Sequence, residues 1–471
     1  MNQDRGTGQR HWGRFAGRGL VVLLAFALVP GAAFLISARG FSAYRYAAPA
    51  ATTTAAAAVV AATPPEHDPA KPTVAIVVGN SGANVADTLV PYDVLAGTGA
   101  FNVYTVAPER RLVPLLGGLD LVPDLDFGQL RRRLGGTPPD VTVVPEMPDS
   151  SEVSDRHVTA WLRGTASRGL VLSVCTGARL VAEAGLLDGR DATTHWYRLS
   201  KLRDAHPAVH WRRGVRYVDD GNVISTGGLL SSVDGTLRVI ERFAGTDVAA
   251  AAARRAGWRH YSPGEPARMP KAGLAPSDAI VHLLNLGYRS DTTTVGVVLT
   301  NGVGELELAS AFDPYAEVKA ARTVALAATA TVRSRHGLTF VPRARPTGAA
   351  ADDVDRLLVP GRTAAAHPDP AVAAAARRTG VPLYYPHRRP GFAYDPALRF
   401  MARTLDRPTA RWTGKILEYH TALPWPSGPA WPWAPTLRVF LLGMAGVAVA
   451  VVIGVAARLI SAGSLRSRRR S

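Results

Sequence analysis

The chain has one cysteine, Cys175, among 471 residues. A lone thiol excludes an intrachain disulfide framework, so the fold must rest on its core. Aromatic residues are sparse, at 7%, and nowhere do they interleave with basic clusters as they do in nucleic-acid sites. The net charge of +17 has another origin, visible in its placement. Arg5, Arg10, Arg14 and Arg18 precede residue 19 against one acid, Asp4. Arg458, Arg466, Arg468, Arg469 and Arg470 close the chain without any acid. We therefore expect no nucleic-acid partner.

Charge is also missing from two long runs, Gly19 to Ala38 and Val439 to Ala457. About 20 apolar residues cross the roughly 30 Å hydrocarbon core of a bilayer as a helix. Arginines flank the outer side of each run, which puts both termini in the cytoplasm and residues 40–436 outside it. This predicts a basic tail over 1–18, a transmembrane helix or signal anchor over 19–38, a second transmembrane helix over 437–458 and a basic tail over 459–471. Trp425, Trp431 and Trp433 read as an interfacial belt, and Arg438 is placed to snorkel to the headgroups. Pro30 and the small residues after it also allow a cleaved signal peptide. Both readings export the middle of the chain, where a lone thiol meets an oxidising milieu.

Residues 39–72, rich in Ala, Thr and Pro, read as a flexible stalk. From 73 to 245 strands and helices alternate. Thr73 to Val78, Val103 to Val106, Val141 to Val144 and Leu170 to Val174 are apolar on both faces, which predicts a parallel sheet covered by helices on both sides. Val215 to Val218 and Val223 to Thr226 flank Asp219-Asp220-Gly221-Asn222 as a hairpin. A helical linker spans 246–293. Residues 294–424 then echo the first unit in degenerate form. Thr294 to Asn301 parallels Thr73 to Asn80, Pro314-Tyr315 parallels Pro91-Tyr92, and Asp353 to Pro360 parallels Asp140 to Pro145. Where the first unit has Cys175, the echo has Pro386.

The strand Leu170 to Val174 runs into Cys175-Thr176-Gly177 and then a helix. This is the order of a nucleophile elbow, in which a sharp strand-to-helix turn exposes the side chain. The start of a helix favours thiolate over thiol. The alternative is an inert core cysteine. The loop Gly79-Asn80-Ser81-Gly82 lacks the dinucleotide-binding spacing, so no cofactor is expected, and no metal.

Cys175-Thr-Gly-Ala, then Ala-Gly-Leu-Leu-Asp-Gly (184–189), Ala-Thr-Thr-His-Trp (192–196), Val218-Asp-Asp-Gly-Asn-Val-Ile-Ser-Thr-Gly-Gly228 and Val233-Asp234 together resemble the ThiJ/PfpI (class I glutamine amidotransferase-like) superfamily. The branch most resembled holds isonitrile hydratase-like enzymes and the sensor domains of AraC-type regulators. The resemblance implies an α/β, flavodoxin-like parallel-sheet sandwich, here with a degenerate second copy and two flanking transmembrane helices. It implies Cys175 as nucleophile, Asp87 as the acid that manages its proton, and His195 as a residue that orients substrate or accepts a proton. Thr176 stands where peptidase-like members carry histidine, which argues against proteolysis. Glu146-Met147 stand where the family's oxyanion glycines follow Val144-Pro145.

Two main functions follow, with a third behind them. One is a membrane-tethered, cysteine-dependent hydratase or hydrolase acting on a small molecule. The other is a non-catalytic ligand-sensing module, whose short tails would require a membrane signalling partner. A low-pKa, redox-responsive thiol is a third. Since such domains usually meet as dimers, the second copy implies a pseudo-dimer within one chain.

Overall fold

The computed structural model describes residues 5–148, 153–165, 168–264, 268–347, 353–419 and 427–467, with only the backbone described over 5–19, 153–155 and 461–467. Its centre is a seven-stranded sheet. In chain order the strands are β1 (Thr73–Val77), β2 (Asn102–Ala107), β3 (Leu125–Asp126), β4 (Val141–Val144), β5 (Leu170–Ser173), β6 (Tyr217–Asp220) and β7 (Val223–Thr226). They lie in the order β6-β7-β5-β4-β1-β2-β3, and all neighbours are parallel except the β6–β7 hairpin. The four inner β-branched runs are buried on both faces, as parallel strands covered by helices must be.

A second, four-stranded parallel sheet holds β8 (Thr294–Val298), β9 (Arg322–Leu326), β10 (Arg356–Leu358) and β11 (Leu383–Tyr384), in the order β9-β8-β10-β11. This matches the inner order β2-β1-β4-β5 of the first sheet. One detail recurs at each first strand. The Asp140 carboxylate accepts from Thr73 N–H at 2.7 Å, and the Asp355 carboxylate accepts from Thr294 N–H at 2.7 Å. One apolar core runs through both units, from Val74 and Leu89 to Phe312 and Leu398.

Five helices matter for the site: α1 (Arg5–Arg45), α2 (Val85–Ala96), α3 (Glu305–Glu317), α4 (Tyr394–Thr404) and α5 (Trp433–Ser467). Within α1 and α5, Leu20–Arg45 and Trp433–Ile460 are long and apolar enough to cross a membrane. The two pack together. Phe26 meets Phe440 edge-on with centroids 6.2 Å apart. A Cβ on Gly446 would lie 2.2 Å from the Ala25 carbonyl oxygen, so glycine permits the close approach.

One expectation changes at these ends. Residues 39–72 are not a free stalk. The helix α1 continues to Arg45, and a further helix, Thr53–Ala61, buries Ala55 and Ala58 against Leu112, Val122 and Val341. Alanine, read in the sequence as spacer, is the best helix former and small enough to lie flat on a surface. Arg438 does not reach outward alone, because Asp291 holds it at 2.7 and 3.0 Å. Of the tryptophan belt, Trp433 is exposed, Trp431 donates to Thr436 at 2.9 Å, and Trp425 lies outside the described residues, as do the side chains of both basic tails.

The linker helix Pro276–Tyr288 is clamped to the second unit by a buried ion pair just beyond its end. Arg289 donates to Asp406 at 2.6 Å and to Asn285 and Thr409 at 2.9 Å each. Replacing one partner leaves the other charge buried and alone. Arg289→Ala is expected to cost about 3–5 kcal/mol in denaturant unfolding of the detergent-solubilised chain. The double change Arg289→Met, Asp406→Leu should cost much less.

Candidate functional site

Sequence dictates a tight turn at the end of β5. Cys175 has φ +54°, a left-handed conformation that costs a non-glycine residue about 1 kcal/mol or more and persists only where the surroundings enforce it. Here three contacts do so. The Cys175 N–H donates to the Gly227 carbonyl at 2.9 Å, and Thr194 Oγ1 donates to the Cys175 carbonyl at 2.8 Å. Gly177 packs so closely on the end of β4 that a Cβ would lie 2.0 Å from the Val144 carbonyl oxygen. The turn Cys175–Gly177 is a single 3₁₀ turn leading into the short helix Ala178–Glu183.

Acids surround the sulfur. Asn84 caps α2 by accepting from Ala86 and Asp87 N–H at 2.8 and 3.0 Å, so Asp87 sits in the first turn without being the cap. Asp87 Oδ2 accepts from the Glu146 N–H at 3.0 Å, while Oδ1 is buried without a partner. Glu146 turns inward, and its Oε2 accepts from Cys175 Sγ at 3.5 Å. Ligand atoms of Asp87, Glu146 and Cys175 all lie within 4.8 Å of one another. The second unit adds Glu317 from α3, whose Oε1 accepts from Asn84 Nδ2 at 2.9 Å, and Asp313, with both carboxylate oxygens buried and unpartnered. The α1 helix adds a cation. Arg45 lies 3.4 Å from Glu317 and 3.7 Å from Glu146. Beside it, the Tyr46 ring covers Gly82.

The electrostatics follow from this crowding. Burial pushes the Asp87 carboxyl well above the carboxylate range, and the neighbouring Glu146 adds to it. Burial and Glu317 raise Glu146, against the pull of Arg45. Cys175 is 2% exposed. Burial first, then Asp87, Glu146 and Glu317, push its thiol well up, and the Thr176 backbone N–H is too weak to offset them. The thiolate expected from a helix start is therefore corrected to a neutral thiol. One 3₁₀ turn offers a small dipole, and three acids oppose it.

The structure brings Cys175 and Asp87 together, and Glu146 with them. His195 lies on the wall, its Nε2 donating to the Ile416 carbonyl at 2.8 Å, so that nitrogen is already committed. Thr176 is half-buried beside the sulfur and engages it through the backbone. Arg45, Asp313 and Glu317 carry no sequence signal near the elbow, and only the echo in the second unit points toward the last two. Glu418, at φ +53°, accepts from Ser231 and lies over Gly227, where a Cβ would meet its Oε2 at 2.4 Å. A second group close enough to share a cation, Asp93, Glu305 and His336, is already bonded internally, with His336 Nδ1 2.8 Å from Glu305 Oε2.

An open parallel sheet with a cysteine elbow at a strand end, answered by an acid from the first helix, defines the class of this protein. Residues 72–242 match the DJ-1/PfpI family. The isonitrile hydratase of Pseudomonas putida is 30% identical over 198 residues, covering 41% of this chain and 81% of that enzyme. The chain belongs to the DJ-1/PfpI family. The HTH-type transcriptional regulator GlxA of Rhizobium meliloti (strain 1021) is also 30% identical, over 203 residues, and the match spans 58% of the regulator. Among solved structures, a ThiJ/PfpI family protein from Pseudomonas syringae aligns over 42% of this chain and 83% of its own, with 24% identity and a TM-score of 0.35.

Proposed function

We propose that this protein is a membrane-tethered, cysteine-dependent hydratase or hydrolase acting outside the cytoplasm on a small, uncharged electrophile. The observation that carries this is the Cys175 Sγ–Glu146 contact of 3.5 Å on an elbow at φ +54°, with Asp87 behind it. The two long apolar helices and their arginine-rich flanks support the tether and the topology. A neutral thiol flanked by one carboxylate that accepts a proton, Glu146, and one carboxyl that donates, Asp87, suits addition across a multiple bond. As sulfur bonds to the substrate carbon, its proton passes to Glu146 and the π pair takes a proton from Asp87. Water then adds to that carbon, Glu146 returns its proton to the departing sulfur, and the proton lost by the added water as the C=O bond forms restores Asp87. Burial and the neighbouring Glu146 raise the Asp87 carboxyl well above its ordinary value, which favours the protonated form that donates. The isonitrile hydratase relative has this reaction type in its name.

In this reading the second unit is a degenerate copy that serves as the partner of the first. The shared strand order, the paired Asp140 and Asp355 contacts and the packing of α2 on α3 support it. It contributes Glu317 and Asp313 where a dimer's second subunit would. The alternative, a ligand sensor signalling through a membrane partner, draws support from the enclosed thiol and the regulator relatives.

The test is turnover of small nitrile-, isonitrile- and aldehyde-type electrophiles by the full chain in detergent. Cys175→Ala is expected to abolish turnover, and Asp87→Asn to lower it by about 100-fold or more, the usual scale for losing a positioned acid. Turnover unaffected by Cys175→Ala would sink the enzyme reading. Saturable binding of a small molecule without turnover would favour the sensor.

A further inference from the structure

The second sheet has a cavity of its own. Beyond the carboxyl end of β11 opens a space of about 420 Å³, within the range of small-molecule sites. In open α/β sheets ligands bind beyond the carboxyl ends of strands, and Cys175 holds the corresponding place in the first sheet. Here Pro386 follows the strand and no nucleophile is present.

Positive charge lines it instead. Arg388, Arg389, Arg399 and Arg403 face the cavity against one acid, Asp395, which already accepts from the Tyr419 hydroxyl. None of the four pairs with a carboxylate among the described residues. Other arginines of this chain do find acids: Arg238 meets Asp219 and Glu241, Arg343 meets Asp120, and Arg362 approaches Glu307. Four like charges around one concavity repel one another and focus a field that only an anion relieves.

The guanidinium groups are also held in place. Arg388 lies over the Tyr385 ring at 5.6 Å and Arg403 over Tyr384 at 5.9 Å. Tyr384 in turn stacks on Phe400 with centroids 4.0 Å apart. Arg403 Nη2 also donates to the Tyr384 hydroxyl at 3.3 Å, whereas Arg388, resting on the Tyr385 face, presents its planar fork for a two-pronged bond to an oxyanion. Tyr385, which lines the same cavity, is itself buried and fixes the place of Arg388.

We propose that this cavity binds a small oxyanion, a phosphate or carboxylate borne on a compact molecule, at a site separate from Cys175. The experiment is calorimetric titration of the full chain in neutral detergent with inorganic phosphate and with citrate, at an ionic strength fixed with chloride. Saturable binding of at least one is expected. The double change Arg388→Gln, Arg399→Gln should weaken it about tenfold or more, which corresponds to about 1.4 kcal/mol. Both arginines are exposed, and an unchanged melting curve would show that the fold survives. Cys175→Ala should leave binding intact. Competition by phosphatidylglycerol in mixed micelles would assign the oxyanion to a lipid headgroup, and absence of competition to a soluble molecule; either upholds the site. No saturable binding of either anion, or binding indifferent to the double change, overturns it.

Discussion

Glu146→Gln is expected to raise the alkylation rate of Cys175 by about 100-fold at pH 8, because it removes the carboxylate nearest the sulfur. A unit charge at the observed 3.5 Å is worth roughly 5 kcal/mol at an effective dielectric of about 20, or about three and a half decades of thiolate fraction at most. Part of this is lost because Glu146 itself ionises only above the usual carboxylate range, where burial and Glu317 hold it. The measurement is the pH dependence of iodoacetamide alkylation of the full chain between pH 6 and 10. In Glu146→Gln the midpoint should move to lower pH. Access is a separate barrier, and the profile separates it from ionisation. A midpoint unmoved by Glu146→Gln would mean that the acid packs against the thiol without controlling it.

How much of this site could be read from the chain depends on how local each part is. The elbow was legible because it is contiguous: an apolar β-branched run, then Cys175, then a glycine that only a close approach to β4 requires. Asp87 came from the family resemblance, and the structure sets it against the Glu146 N–H. Glu146 itself was visible as a departure from the family's glycines, although nothing local says that it points inward. The parallel character of the first sheet was legible from the alternation of strands and helices, while the strand order was not. What the sequence hid is long-range. Arg45 and Glu317 lie 272 positions apart and meet only because α1 and α3 both end at the elbow. The stalk was misread for a related reason. Alanine-rich composition describes a spacer and a packed helix equally well, and only the apolar surface formed by Leu112, Val122 and Val341 decides between them. The thiol's protonation state was likewise beyond local reading, since a turn's dipole is local and the opposing acids come from three distant segments.

Arg45→Ala should therefore have a large and pH-dependent cost. Arg45 is the cation closest to the acids, 3.4 Å from Glu317 and 3.7 Å from Glu146, with Asp313 nearby and unpartnered. Burial raises Asp87, Glu146 and Asp313 in the fold. Between the ordinary carboxylate value and these raised values, the folded chain holds more protons than the unfolded one, so stability falls as pH rises through that window. Removing Arg45 lifts Glu146 further and steepens the fall. We expect a loss of about 3 kcal/mol at pH 8, the scale of breaking a mostly buried pair, and a smaller loss as pH falls and the raised acids take up protons. Melting curves of the full chain in detergent across this range would measure it. An equal loss at every pH would mean that Arg45 contributes packing alone. The pH-dependent result would have a further meaning. Arg45 ends the same continuous helix that contains the apolar run Leu20–Arg45, so the charge that balances the site is carried at the end of a segment long and apolar enough to cross a membrane. Any shift of that helix along its axis would move the cation relative to Glu146 and Glu317, and with it the proton affinity of the acids around Cys175.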